Sequence, residues 1–95
     1  MIKLMDLLSE AQGRYVWIVY LRQSPKRYWQ LNLVEPDKAR AIHFAKKWKQ
    51  EMIEHGQKNG KKWDVQAAIE FVSDFSGKVD DYDGRKSLSP NAMNI

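Results

Sequence analysis

The fold of this chain is decided by residues 14–22, which read RYVWIVYLR. β-Branched and aromatic side chains fill this stretch and an arginine stands at each end, which predicts a β-strand. Successive side chains point to opposite faces of a strand, and here both faces are apolar. A strand of this kind is usually covered on both sides. The rest of the chain therefore has to supply two covers for one strand.

The flanking segments predict three helices and one more strand. Apolar residues recur at helical spacing in residues 3–11, and residues 27–33 alternate as the second strand of an antiparallel hairpin would. An amphipathic helix is predicted between Pro36 and Gly56, and a second one over residues 65–76. The predicted class is α+β, in the order α-β-β-α-α, with the two longer helices packed on one face of the sheet.

A single domain, residues 1–84, accounts for all of these elements. The chain has 95 residues, which leaves no room for a second domain. Residues 85–95 show no hydrophobic period, and we predict a flexible C-terminal tail there.

The hairpin alone cannot cover its own apolar faces. A two-stranded hairpin is marginal in water, and the two longer helices cover only one of its sides. The other side could be covered by the N-terminal helix, by a strand recruited from residues 78–90 or by a second copy of the chain. Pairing of two copies edge to edge, across a two-fold axis, would give a continuous four-stranded sheet. We therefore predict a homodimer, and we expect four hairpin side chains at the interface: Val16, Ile18, Tyr20 and Tyr28.

Several functional classes are disfavoured by composition and motifs. The chain has no cysteine, which excludes disulfides, thiolate nucleophiles and cysteine-based metal sites. A small domain without disulfides suits a reducing compartment, so a cytoplasmic location is predicted. No segment resembles a signal peptide or a membrane span, and no phosphate loop or nucleophile elbow is present. We expect no enzymatic activity, no cofactor, no membrane partner and no small-molecule substrate.

Two patterns that suggest metal binding are incomplete. Glu51 and His55 stand four residues apart on the long helix, as two ligands would, but a single such pair is more typical of a surface contact. The acidic turn at residues 79–84 would need an acid where Val79 stands, and Pro90 occupies the last ligand position of a calcium loop. We predict no metal site.

Positive charge is concentrated in the middle of the chain. The net charge is +4, yet residues 14–35 sum to +3, residues 36–63 to +5 and residues 64–77 to −3. Aromatic residues are interleaved with the cations, a combination that suits the phosphates and bases of nucleic acid. A solvated surface explains the same charges more simply.

Two hypotheses for function follow. The first is a small non-catalytic accessory or protein-interaction module that forms a homodimer. The second is a nucleic-acid-binding module that uses the ends of the hairpin and the long basic helix. Its candidate contacts are eight cations: Arg14, Arg22, Lys26, Arg27, Lys46, Lys47, Lys61 and Lys62.

Three stretches resemble known proteins. Residues 14–55 resemble the arm-binding domains of tyrosine recombinases, in which a sheet of three strands enters a DNA groove. Residues 59–63, NGKKW, resemble a basic stretch of the WGR domain, although the Trp-Gly-Arg signature is missing. Residues 1–11 resemble the start of short uncharacterised proteins from tailed phages of marine bacteria. The last resemblance implies a phage source and the host-cell cytoplasm, and it implies no activity.

Overall fold

The computed structural model describes residues 15–24 and 26–95, which form a four-stranded antiparallel sheet and one long helix. The α+β class is confirmed, but the predicted order of elements is wrong. The predicted N-terminal helix, residues 3–11, lies outside the described residues. The elements in chain order are β1 (Val16–Gln23), β2 (Gln30–Glu35), α1 (Lys38–Lys58), β3 (Val65–Val72), a 3₁₀ turn (Val79–Asp81) and β4 (Met93–Asn94).

The segment predicted to be a second long helix is the strand β3. Its sequence, VQAAIEFV, fits both periods, because apolar residues recur at helical spacing and also at alternate positions. β3 pairs with β1 along its whole length, from Val16↔Val72 to Gln23↔Val65. This pairing fills the edge of β1 that β2 leaves open. Tertiary context therefore decides between two local structures that the sequence supports about equally.

The sheet is completed within one chain, in the order β2-β1-β3-β4. β1 lies between β2 and β3, so its backbone groups have partners on both sides. A second copy of the chain is therefore not needed to reach four strands. Homodimerisation stays a prediction, but the argument that motivated it no longer holds.

One face of the sheet is covered by α1. Asp37 caps the helix by accepting a hydrogen bond from the Ala39 N–H at 3.1 Å. The small side chains of Ala41 and Ala45 are fully buried and pack in one core cluster with Val19 and its neighbours. Small residues at these positions let the helix lie close to the sheet.

The helix continues through Gly56, where the sequence predicts a stop. Gly56 is buried within the last turns of α1, and a Cβ at this position would lie 2.8 Å from the Trp63 ring. Glycine is needed here for close packing rather than for helix termination. The cap falls at Asn59 instead.

The other face of the sheet is covered by the C-terminal segment, residues 73–92. Val16, Ile18 and Tyr20 are at most 1% exposed beneath it. The apolar residues that cover them include Phe75, Tyr82 and Leu88. These three predicted interface residues are therefore core residues, and a partner could reach them only by displacing the segment. Tyr28, at 51% exposed, is the member of the predicted set that remains accessible.

The predicted flexible tail, residues 85–95, packs against the sheet. β4 pairs with β3 through Ile69↔Met93, and the Ile95 N–H donates to the Ala67 carbonyl at 2.9 Å. Most of this segment is irregular in structure, so its apolar residues follow neither the helical nor the strand period. The absence of a period is why the sequence predicts a tail here.

β2 contains a β-bulge. Val19 pairs with Leu33 and the next residue, Tyr20, pairs with Leu31, so Asn32 is the extra residue. As a result, Leu31 and Leu33 pack on opposite faces of the sheet, although simple alternation places them on the same face. The bulge also turns Asn32 toward the side of the sheet that α1 covers.

Candidate nucleic-acid interface

The β1–β2 turn and the loop after α1 meet at one end of the sheet, which we call the turn end. The Ser24 N–H donates a hydrogen bond to the Asp64 carbonyl at 2.9 Å, which joins the turn to the start of β3. The last turn of α1, with the basic side chains of His55 and Lys58, ends at the loop that leads to Asp64. Two basic stretches that are distant in sequence therefore lie side by side.

Five of the eight predicted cations line two neighbouring depressions at the turn end. One depression has a volume of about 210 Å³ and adjoins the turn, and the other has a volume of about 450 Å³ and adjoins α1. Asp64 lines both and is the one carboxylate among their lining residues. The local charge is therefore strongly positive. We call the five cations the basic pole: Arg22, Lys26, Arg27, Lys61 and Lys62.

Four cations of the basic pole have no partner among the described residues. Lys26, Arg27, Lys61 and Lys62 are all exposed. Within residues 15–24 and 26–95, no salt bridge or side-chain hydrogen bond engages any of them. Among the described residues, therefore, no side chain in direct contact competes with an incoming anion for these four cations.

Arg22 is held in place by its neighbours. Its Nε donates to the Gln66 Oε1 at 3.0 Å, and its Nη2 bonds to the same oxygen. The guanidinium also lies 4.4 Å from the centroid of the Trp29 ring, in a cation–π contact. Because guanidinium has five N–H donors, some remain for a ligand. Arg22 thus offers a fixed contact beside four adaptable ones.

Three predicted cations do not belong to the basic pole. Lys46 and Lys47 are exposed on α1, and neither lines a depression at the turn end. At 1.5 Å per residue, Lys47 lies roughly 16 Å along the helix from Lys58. Arg14 lies outside the described residues.

A larger concavity, which we call the aromatic groove, opens on the α1 side of the turn end. Its volume is about 530 Å³. Its apolar walls are Leu21, Trp48, Met52 and Trp63. Its polar lining comes from Gln23, Asn32, Glu51 and His55. Trp63 also lines the depression of Lys61 and Lys62, so the groove and the basic pole share a wall.

The Trp63 ring is fixed by two contacts. It lies directly over Gly56, and its centroid is 5.9 Å from that of the His55 ring. The sequence shows Trp48 and Trp63 as aromatics among cations, but it does not predict the groove. Asn32 enters the groove through the bulge, and a bulge of this kind has no short sequence signature.

A buried ionic cluster lies on the opposite face of the sheet. Glu70 is 2% exposed, and its carboxylate accepts hydrogen bonds from the Tyr20 hydroxyl at 3.0 Å, from Arg85 Nη1 at 2.8 Å and from the Ser89 N–H at 2.7 Å. Burial, and then the negative charge of Glu70, raise the pKa of Tyr20 above its ordinary value. The cluster attaches the C-terminal segment to β3. A helical stripe over residues 65–76 places Glu70 on a polar surface, so sequence reasoning missed it.

The described part of the chain offers neither a metal cluster nor a membrane span. No three metal-ligating side chains gather there, and His43 packs its ring edge-on against Phe44, at 5.3 Å between centroids. Nor does any helix in these ranges have the length and apolar character that crossing a bilayer requires.

Comparison of the chain with protein-family models, with curated proteins and with solved structures gives no match. The phage source suggested by residues 1–11 therefore stays a prediction. Function has to be argued from the geometry of the turn end.

Proposed function

We propose that this protein binds nucleic acid through the basic pole and does not itself catalyse a reaction. The observation that carries the proposal is the set of four exposed cations gathered at one end of the sheet, none of which is paired with another of the described residues. These residues come from two loops about 35 positions apart. The fold therefore concentrates positive charge that is spread along the sequence.

Phosphodiesters are the anions that this arrangement suits best. Successive phosphates present negative charge at regular spacing, and flexible lysines can follow them while one positioned arginine fixes the register. Asp64 lines both depressions, which are therefore neighbours, and one strand passing over the turn end could contact both. Asp64 would then face a gap between phosphates.

The homodimeric interaction module is the competing hypothesis. It rested on an uncovered sheet face, and the C-terminal segment covers that face. No comparable change weakens the nucleic-acid hypothesis, because five of its eight residues lie together. We therefore favour the nucleic-acid hypothesis over the interaction module.

The proposal is tested by fluorescence anisotropy with a labelled mixed-sequence oligonucleotide, at two salt concentrations. We expect binding that weakens steeply with salt, because each neutralised phosphate releases counterions. The variant Lys61→Ala/Lys62→Ala should weaken binding and reduce the slope of log K against log salt by roughly 1.4 on a single strand.

The matched control is Lys46→Ala/Lys47→Ala. It removes the same charge from two exposed lysines that lie away from the turn end, so its salt slope should stay close to that of the parent protein. Equal losses from the two double variants would mean that net charge, rather than the basic pole, drives binding. Absence of binding at low salt would exclude the proposed function.

A further inference from the structure

We infer that the aromatic groove receives an unpaired nucleobase, so that the protein prefers single-stranded to double-stranded nucleic acid. This inference rests on the proposed function and adds a second kind of contact to it. The basic pole holds the backbone, and the groove next to it holds a base. The inference is supported by the position of Trp63, which lines both the groove and the depression of Lys61 and Lys62. The groove and the two lysines are therefore adjacent.

The size and lining of the groove suit a planar heterocycle. Its volume of about 530 Å³ falls within the range of small-molecule sites, roughly 300–1,000 Å³. Trp48 and Trp63 are only partly buried, so aromatic surface remains available for stacking. Base–aromatic stacking is the main way in which proteins hold single strands, and it is unavailable to a base that is paired and stacked within a duplex.

The polar groups of the groove suit a base edge. Within the described residues, the side chains of Gln23 and Glu51 make no hydrogen bond and no ion pair. Asn32 uses its amide nitrogen on the Gln30 carbonyl, which leaves its side-chain oxygen as an acceptor. A carboxylate accepts only, and an amide both donates and accepts, so together they can pair with an exocyclic amino group and its neighbours.

Charge complementarity decides for nucleic acid over an apolar peptide. The groove is flanked by the free cations of the basic pole, and one acid, Glu51, lines it. An apolar peptide would bury the groove without using those cations. A base attached to a phosphodiester uses both surfaces at once, because the backbone crosses the lysines while the base turns past Trp63.

Abasic oligonucleotides separate this inference from the proposed function. An eight-nucleotide deoxycytidine strand, its abasic counterpart with the same phosphates, and a duplex of equal length are titrated by anisotropy. We expect the normal strand to bind about tenfold or more tightly than the abasic strand, and more tightly than the duplex. Deoxycytidine monophosphate should compete only weakly, because it lacks the further phosphates.

Variants then locate the base. Gln23→Ala/Glu51→Gln changes side chains at the rim of the groove, and the ratio of normal to abasic affinity should fall several-fold. Removing the negative charge of Glu51 should raise the affinity for both strands equally, because they carry the same phosphates, so this effect cancels in the ratio. Trp63→Leu should reduce the ratio further, while Lys61→Ala/Lys62→Ala should weaken both strands alike and leave the ratio unchanged. Tyr28→Leu, at an exposed aromatic outside the groove lining, is the control.

The outcomes are distinguishable. Equal binding of normal strand, abasic strand and duplex would overturn the base groove and leave binding through the basic pole intact. A ratio that Tyr28→Leu abolishes and the groove variants leave unchanged would also overturn it, because the base would then stack outside the groove. Absence of binding to all three would exclude the groove and the proposed function together.

Discussion

Charged side chains are used in opposite ways in two regions of this molecule. Beneath the C-terminal segment, Glu70 is buried and accepts three hydrogen bonds. At the basic pole, four exposed cations have no partner among residues 15–24 and 26–95. A buried charge has to be fully paired because desolvation costs several kcal/mol, whereas an unpaired surface charge costs the fold almost nothing. The fold therefore separates the charge that it buries and pairs from the charge that it exposes at the turn end.

The strongest test of this comparison is Glu70→Ala. We expect the free energy of unfolding to fall by about 3–5 kcal/mol, because Arg85 and the Tyr20 hydroxyl lose their buried acceptor. Urea denaturation followed by circular dichroism measures the change. The control is Glu54→Ala, at an exposed position of α1, which should cost about 0.5 kcal/mol or less.

If Glu70→Ala does not fold, Glu70→Gln keeps the shape of the side chain and one acceptor oxygen. It should fold with a smaller loss. Equal losses from the changes at Glu70 and Glu54 would contradict the assignment of the cluster as the attachment of the C-terminal segment.

The Tyr20 hydroxyl, which donates to Glu70, makes the stability of the buried cluster depend on pH. Tyr20→Phe should lower the free energy of unfolding by about 1.5–3 kcal/mol at neutral pH, because a hydrogen bond to a charged group is lost. The pKa of Tyr20 is raised in the folded protein, so above a pH of about 10 the unfolded state releases this proton before the folded state does.

The contribution of Tyr20 is therefore complete below that pH and is lost as the pH rises above it. Urea titrations at several pH values should show a shallower alkaline decline for Tyr20→Phe than for the parent protein. Tyr28→Phe, at an exposed tyrosine, is the control and should keep the parent slope. If the free energy of unfolding declined with pH equally in all three proteins, burial of the Tyr20 hydroxyl would not contribute to the alkaline loss of stability.

A substitution at Gly56 tests whether the Trp63 wall of the aromatic groove packs tightly against α1. Alanine normally stabilises a helix relative to glycine, by about 1 kcal/mol. Here a Cβ would lie 2.8 Å from the Trp63 ring, so we expect Gly56→Ala to destabilise the protein by about 1–3 kcal/mol.

Calorimetry of Gly56→Ala, Trp63→Leu and the double variant gives the coupling between the two sites. Because the smaller side chain relieves the clash, the double variant should lose less than the sum of the single losses. Strict additivity would show that the ring does not rest on Gly56.

The central strand and the long helix were predictable because local patterns and tertiary needs agree there. Every residue from 15 to 20 is β-branched or aromatic, and α1 has an amphipathic stripe with Asp37 as its cap. β3 was not predictable, because its sequence fits a helix and a strand about equally and only the open edge of β1 selects the strand.

In the candidate site, too, some features follow from local sequence patterns and others depend on tertiary contacts. Charge density along the sequence selects eight candidate cations, and five of them lie at the turn end. Their grouping depends on the return of α1 and on the contact between Ser24 and Asp64, and both are tertiary facts. Asn32 reaches the groove through a bulge, and Glu70 reaches the core because residues 65–72 form a strand. A single sequence carries no local signal for either.

The smallest expected effect on stability comes from the basic pole itself. Lys61→Ala/Lys62→Ala should change the free energy of unfolding by less than about 0.5 kcal/mol, because both side chains are exposed and neither is paired within the described residues. Urea denaturation at low and high salt measures this change. A loss above about 1 kcal/mol would mean that the lysines support the fold and are not held in reserve for a ligand. If Glu70 supports the fold and the lysines serve binding, the double variant should keep its stability and bind oligonucleotide more weakly. That result would assign the buried charge and the exposed charges to separate parts of one small domain.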